Sequence, residues 1–165
     1  MKRRAMFTSL AGAACASLAA PAQSKPLLTV SGRISCANNK AQNTYDFSEA
    51  AFLNLPQTSI KTATPWTPAA VFVGPLLLVV MRAACLTSGT LNMKALDGYS
   101  MPIPWDDLVS YGVILAHSQD GKRLCINRWG PLWTIYPRDQ HAQALTGPVA
   151  ESRFIWQVNK IELSA

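Results

Sequence analysis

The chain has 165 residues, 49% apolar and 15% charged, with 15 Lys and Arg against 9 Asp and Glu for a net charge of +6. That length fits one domain, and the composition is too apolar and too weakly charged for a disordered chain. No G-X-Y run, heptad or internal repeat is present, which excludes collagen, coiled coil and solenoid, while eleven prolines and nine glycines mark many turns between short elements.

Met1-Lys2-Arg3-Arg4 is a basic start, and Ala5 to Ala20 is an uncharged run of small and apolar residues. This is the pattern of a signal peptide, with Ala20-Pro21-Ala22 as its small-x-small cleavage site. The sequence therefore predicts a leader over 1–22, a domain over 23–165 and a periplasmic or secreted protein. An uncleaved membrane anchor is the alternative, disfavoured by a short run that is rich in alanine rather than leucine. Lys2 to Phe7 partly resembles a twin-arginine signal but lacks its spacing, which leaves an ordinary secretory signal as the simpler reading. Cys15 lacks the branched apolar residue that precedes a lipidated cysteine. With Lys2, Arg3 and Arg4 gone the net charge falls from +6 to +3. The remaining basic residues form no run longer than Lys122-Arg123, so a nucleic-acid partner has no patch to rest on.

Leu27 to Ile34 has partial strand alternation and breaks at Asn38-Asn39. Asp46-Phe47-Ser48-Glu49 before Ala50-Ala51-Phe52-Leu53 has the cap-x-x-Glu form of a helix start, and Pro56 keeps that helix short. Thr64-Pro65-Trp66-Thr67-Pro68 reads as an open segment held by two prolines, and Val71-Phe72-Val73 as a brief strand. Pro75 suits the first position of a helix that runs to Cys85 and is apolar on every side except Arg82, hence buried. Gly74-Pro75 and Arg82 cut this stretch short of a membrane span.

Strands follow over Leu91–Leu96, Tyr99–Ile103, Val113–Ala116, Arg123–Ile126, Leu132–Tyr136 and Trp156–Leu163. Asp97-Gly98 and Asp120-Gly121 are turns between them. Trp105 to Leu108 is one helical turn, and Gln140 to Val149 a polar loop. The order is mixed α+β, sheet-dominated and single-domain.

Three cysteines lie beyond the leader, Cys36, Cys85 and Cys125, so at most one disulfide can form between them. Each is expected to be a small buried residue rather than a bridge. Cys85 at a helix end is expected to be the most inert, with any leftover thiol buried and unreactive. There is no CxxC, and His117 and His141 have no Cys or His at ligand spacing, so no metal site is expected. Neither GxSxG, GxGxxG, a P-loop nor HExxH occurs. Asp106-Asp107 reads as a cap plus a solvated charge, because adjacent helical residues point about 100° apart.

The series Tyr111 to Ala116, Asp120-Gly121-Lys122-Arg123-Leu124, Gly130-Pro131-Leu132-Trp133-Thr134-Ile135-Tyr136-Pro137 and Ile155-Trp156-Gln157-Val158-Asn159-Lys160-Ile161 resembles, in that order, the oxidoreductase molybdopterin-binding domain of the sulfite oxidase superfamily. Thr29 to Ile34 and Gly74-Pro75-Leu76-Leu77 also fit its pattern. The resemblance implies a sulfite-oxidase-like molybdopterin-binding fold across nearly all of 23–165. It also implies where this chain departs.

The family's molybdenum-binding cysteine falls where this chain reads Leu55 to Trp66, which holds Thr62 and Thr64 but no cysteine, and a hydroxyl does not replace a soft thiolate. Arg128 takes the place of a histidine and Trp133 that of an arginine. Ile155 replaces the basic residue before Trp156, with Arg153 close enough to substitute. The resemblance thus implies Arg128 and Arg153 on a cofactor phosphate and Trp66 or Trp133 against a ring, with no metal ligand and no identified catalytic residue. The plainer expectation is that Trp66, Trp129, Trp133 and Trp156 pack on the core or a strand face, and that Arg128 and Arg153 form surface ion pairs.

Two functions follow from the analogy. The first is a non-catalytic module that reads a small ligand or a periplasmic protein partner such as a sensor, which the missing thiolate favours. The second is a periplasmic molybdopterin-dependent oxidoreductase with a non-covalently held cofactor.

Overall fold

The computed structural model describes residues 25–164, and the expected leader over 1–22 lies outside them. Eleven strands and four short helices follow in chain order. They are β1 Leu28–Gly32, β2 Tyr45–Phe47, α1 Glu49–Leu53, β3 Gln57–Thr64, β4 Thr67–Pro75, α2 Leu77–Ala83, β5 Thr90–Ala95, β6 Ser100–Pro104, α3 Trp105–Tyr111, β7 Ile114–Ala116, β8 Ser118–Gln119, β9 Lys122–Arg123, β10 Trp133–Ile135, α4 Pro148–Ser152 and β11 Val158–Ser164. The architecture is sheet-dominated and mixed α+β. No helix among the described residues is long and apolar enough to cross a membrane.

A five-stranded sheet runs β2-β1-β11-β5-β6, a four-stranded sheet β3-β4-β8-β9, and β7 pairs with β10. Only β1 and β11 pair in parallel, Val30 opposite Ile161, so the two ends of the domain meet in one sheet. Period-two burial explains its inner face: Leu91, Met93 and Ala95 of β5 point inward with Ile161 and Leu163 of β11. One continuous core joins these residues to Phe52, Phe72, Leu77, Met81, Trp133 and Tyr136. Each large apolar side chain so buried contributes about 1.5–3 kcal/mol.

The segment with no predicted element, 57–63, is most of an eight-residue strand. Its inward positions are Ile60, Thr62 and Thr64, so two of three buried side chains are polar and the alternation does not register as hydrophobic. The expected open segment around Pro65 is the tight turn joining β3 to β4, with Thr64 paired to Thr67. Thr64 Oγ1 accepts from the backbone N–H of Trp66 at 3.2 Å and of Thr67 at 3.0 Å, which fixes the turn. At the other end of β4, a Cβ on Gly74 would stand 2.2 Å from the carbonyl oxygen of Leu115, so only glycine lets β4 approach β7.

Four other expectations are corrected at the level of caps and ends. Ser48, not Asp46, caps α1, its Oγ accepting from Ala51 N–H at 3.2 Å, while Asp46 binds the side chains of Asn39 and Thr44. Pro75 ends β4 rather than opening α2, which begins at Leu77 and buries Leu77, Val80 and Met81 at i, i+3, i+4 spacing. The expected strand 123–126 stops at Arg123, because only Lys122 and Arg123 find partners, opposite Gln119 and Ser118. Pro148, expected in a loop, is the first residue of α4.

The cysteines also differ from expectation. Cys36 and Cys85 form a disulfide, so Cys85 is not an inert buried thiol. Cys125 is the free thiol, and it is exposed rather than buried. At most one disulfide was possible among the three, and one forms.

Candidate aromatic cavity and its surroundings

Two turns and one helix build an apolar cavity. The β3–β4 turn presents Trp66, 44% exposed. The β5–β6 turn presents Tyr99, 45% exposed. In that second turn Asp97 Oδ1 accepts from Tyr99 N–H at 2.9 Å, and Gly98 takes a φ of +89° that a side chain would resist. The Tyr99 hydroxyl donates to the carbonyl of Ser152 at the end of α4, at 3.3 Å. α4 and the strand lead-in after it supply Pro148, Glu151, Phe154, Ile155 and Trp156. Together these residues surround about 370 Å³, within the usual range of small-molecule sites.

The rings continue inward from this cavity. Trp66 meets Trp156 edge to face, centroids 4.5 Å apart at 87°. Trp156 meets Trp129 at 5.2 Å and 70°, and Trp129 stacks on Trp133 at 4.7 Å and 23°. Trp133 reaches Phe72 of the core at 5.4 Å. Trp133 is fully buried, its indole N–H donating to the Phe154 carbonyl at 3.1 Å, whereas Trp66 is half out. The expected core role of the tryptophans therefore holds for Trp133 and fails for Trp66.

Arg153 and Asp107 form a separate cluster. Arg153 Nη1 donates to Asp107 Oδ2 at 2.7 Å, and the Tyr136 hydroxyl donates to the same oxygen at 2.9 Å. The two ionic side chains are 23% and 11% exposed, so Asp107 is not the solvated charge that its place beside Asp106 suggested. Burial, with the Asp107 charge beside it, pushes the Tyr136 hydroxyl well above the usual tyrosine value. Nearby, Arg138 pairs with Glu151 at 2.9 Å.

Of the four residues expected to bind a cofactor, the fold places Trp66 in the cavity wall, Trp133 in the core behind it, Arg153 on Asp107, and Arg128 at the surface. The Arg128 guanidinium lies 5.9 Å from the centre of the Trp129 ring. Trp133 thus offers no open face, and Arg153 is held by a carboxylate.

The stretch facing the family's thiolate position is equally committed. Thr62 Oγ1 accepts from Asp139 N–H at 3.2 Å, and Thr64 Oγ1 holds the hairpin turn. The cavity lining contains no cysteine and no basic residue. Among the described residues no group of three or more His, Cys, Asp or Glu could hold a metal ion. This donor set lacks the thiolate that a sulfite-oxidase-type molybdenum takes and the cations that would grip the pterin phosphate, so it does not fit that cofactor.

His117 stands apart from both clusters. Its Nε2 shares a hydrogen bond with Gln57 Oε1 at 3.1 Å, and burial together with the Arg123 charge lowers its pKa from the usual value. Glu49, paired to Arg123 at 2.8 Å, and Gln57 give it no proton-relay partner. Sequence reasoning overlooked Tyr99, Asp97 and Glu151. The signal for Tyr99 was available in an aromatic residue directly after an Asp-Gly turn, where it cannot enter the core easily.

No family model matches the chain, and no curated protein sequence matches it. Among solved structures it is similar to the sulfane dehydrogenase SoxCD from Paracoccus pantotrophus, with a TM-score of 0.59 and 13% identity. The match covers 82% of this chain and 37% of that one, so this chain corresponds to little more than a third of the solved chain. At that identity the likeness is one of fold.

Proposed function

We propose that this chain is an exported, non-catalytic module of the sulfite-oxidase-like molybdopterin-binding fold that takes a small ligand in the cavity of Trp66, Tyr99 and Trp156. The ordered series of segments from Tyr111 to Ile161 and the likeness of fold to a dehydrogenase support the fold assignment. One observation carries the function. The cavity is walled by partly exposed aromatic rings and has neither a thiolate nor a basic side chain in its lining, while the arginine next in sequence, Arg153, is held by Asp107. Large aromatic side chains left open around a concavity are a binding surface more often than a packing remainder.

The oxidoreductase alternative differs in one measurable respect. Protein purified from the periplasm of a host able to make molybdopterin is expected to contain far less than one molybdenum per chain, and ligand titration is expected to quench the fluorescence of Trp66 and Trp156. Molybdenum near one per chain would overturn the module reading and establish the oxidoreductase.

A further inference from the structure

We infer that the cavity between the β3–β4 and β5–β6 turns selects a small organic cation, of the quaternary or alkylated ammonium class. The inference rests on the ligand-binding reading above and gives that ligand its charge and shape. Three features of the cavity agree.

The first is its charge. The charged residues in the lining are Asp97 and Glu151, both acidic, with no Lys, Arg or His among them. Glu151 is paired with Arg138 through one oxygen, whereas Asp97 accepts only the Tyr99 N–H and has no ion-pair partner among the described residues. An anionic ligand would face the uncompensated carboxylate of Asp97, and a cation would find it complementary.

The second is the arrangement of the rings. Trp66 and Trp156 stand at 87° with centroids 4.5 Å apart, so they form two walls of a corner rather than one flat platform. A flat platform suits the face of a sugar ring or a nucleobase. Rings meeting at a corner can turn negative π-faces toward one compact charge, and a cation within about 6 Å of such a face is attracted to it. Tyr99 adds a third ring to the same lining.

The third is the balance of polar and apolar surface. Apart from the two carboxylates the lining is mainly aromatic, aliphatic and proline, with few hydrogen-bond donors. A primary ammonium needs three acceptors when it leaves water, and these walls offer side-chain carboxylate acceptors only at Asp97 and Glu151, each of which already accepts one hydrogen bond. An ammonium capped by methyl groups needs none, and its apolar shell is matched by the rings. The volume of about 370 Å³ suits a free small molecule rather than a lipid headgroup with its chains.

The experiment uses the mature protein, followed by tryptophan fluorescence and calorimetry. The probes are choline, tetramethylammonium, and 3,3-dimethylbutan-1-ol, the neutral isostere of choline. Choline and tetramethylammonium should bind saturably, with the neutral alcohol weaker by about tenfold or more. Asp97→Asn keeps the acceptor for Tyr99 N–H and removes only the charge, so it should weaken choline several-fold and leave the alcohol unchanged. Trp66→Ala should weaken choline by about tenfold while thermal unfolding stays close to that of the parent.

Equal binding of choline and the alcohol would overturn the cation inference and leave the small-ligand reading standing. No binding of any of the three would overturn both. Binding of maltose or of a lysine-containing peptide in preference to choline, or of phosphatidylcholine vesicles without free choline, would likewise overturn the inference.

Discussion

The residues from Pro148 to Trp156 serve two neighbouring clusters that are opposites in chemistry. Arg153 joins Asp107 and Tyr136 in a polar cluster whose members bind one another, with 2.7 Å and 2.9 Å contacts to a single carboxylate oxygen. Glu151, Phe154, Ile155 and Trp156 join Trp66 and Tyr99 around an open aromatic cavity. Satisfied polar groups with little exposure hold a fold together, and unsatisfied aromatic faces at the surface are available to a ligand. Arg153, which the family resemblance would put on a molybdopterin phosphate, is held by Asp107. Under the proposed function, recognition would fall to the aromatic residues beside it.

The largest expected effect removes stability without touching either cluster, and so tests whether the cavity is preformed. The Cys36–Cys85 bridge closes a loop with a sequence separation of 49 residues between β1 and the end of α2. Loop-closure entropy puts its contribution at about 4 kcal/mol. The double variant Cys36→Ser, Cys85→Ser should lose about that much in a urea titration. Its choline titration at low temperature, where the protein is still folded, should match the parent. A change in that titration would tie the cavity to the far side of the molecule.

Next comes the polar cluster itself. Asp107→Ala leaves Arg153 with a partly buried guanidinium whose Nε already lacks a partner. The expected cost is about 3 kcal/mol, against about 1 kcal/mol for Tyr136→Phe, which removes one hydrogen bond and leaves the ion pair. Chemical denaturation of the two variants compares them directly. Similar costs would mean that the ion pair is screened like a surface one.

The same cluster has a signature in pH. Tyr136 is held neutral in the fold, its pKa raised by burial and by Asp107, so the unfolded chain loses this proton first. The associated stability is complete below the unfolded tyrosine value near 10 and declines as pH rises beyond it toward the folded value. Unfolding free energy should therefore fall above about pH 10, and Tyr136→Phe should flatten that part of the curve.

Much of the fold was legible because its signals are local. The alternation of Leu91, Met93 and Ala95, the Asp-Gly turns at 97–98 and 120–121, and the apolar stretch of α2 each depend on a few neighbouring residues. β3 was not legible, since its buried positions are largely threonine and only the tertiary hydrogen bond from Asp139 explains why Thr62 can go inside. The site was legible in one wall, Trp66. The Asp97-Gly98 turn announced the β5–β6 hairpin, but Tyr99 and Asp97 reach that wall through the pairing of β5 with β11, which no spacing encodes. Asp107 was misread for the same reason, because its partner is 46 residues away in sequence.

A contrast of comparable size separates the two ends of the aromatic chain. Trp133 is fully buried, and Trp133→Ala should cost about 3–5 kcal/mol, as for other buried aromatic truncations. Trp66 lies on a turn and is 44% exposed, so Trp66→Ala should cost about 1 kcal/mol or less, because few of its contacts are replaced by a cavity. Thermal denaturation of both variants measures the contrast. Equal losses would show that Trp66 is a packing residue and would weaken its claim to bind a ligand.

The smallest expected effect belongs to Arg128, and it bears most directly on what the family resemblance implies. By that resemblance Arg128 would take the position of a histidine that meets a cofactor, so a cofactor-dependent protein should lose its loading when the guanidinium is removed. In this structure the side chain is exposed and its one recorded aromatic contact is with Trp129, at 5.9 Å. An exposed cation–π contact at that distance contributes at most about 0.5–1 kcal/mol. Arg128→Ala should therefore leave stability within about 0.5 kcal/mol of the parent and choline affinity unchanged, since Arg128 is absent from the cavity lining. On the proposed non-catalytic reading the same variant should show no drop in molybdenum content. A parent that carries molybdenum and an Arg128→Ala variant that does not would reverse the assignment of the two arginine positions, making the surface residue the functional one.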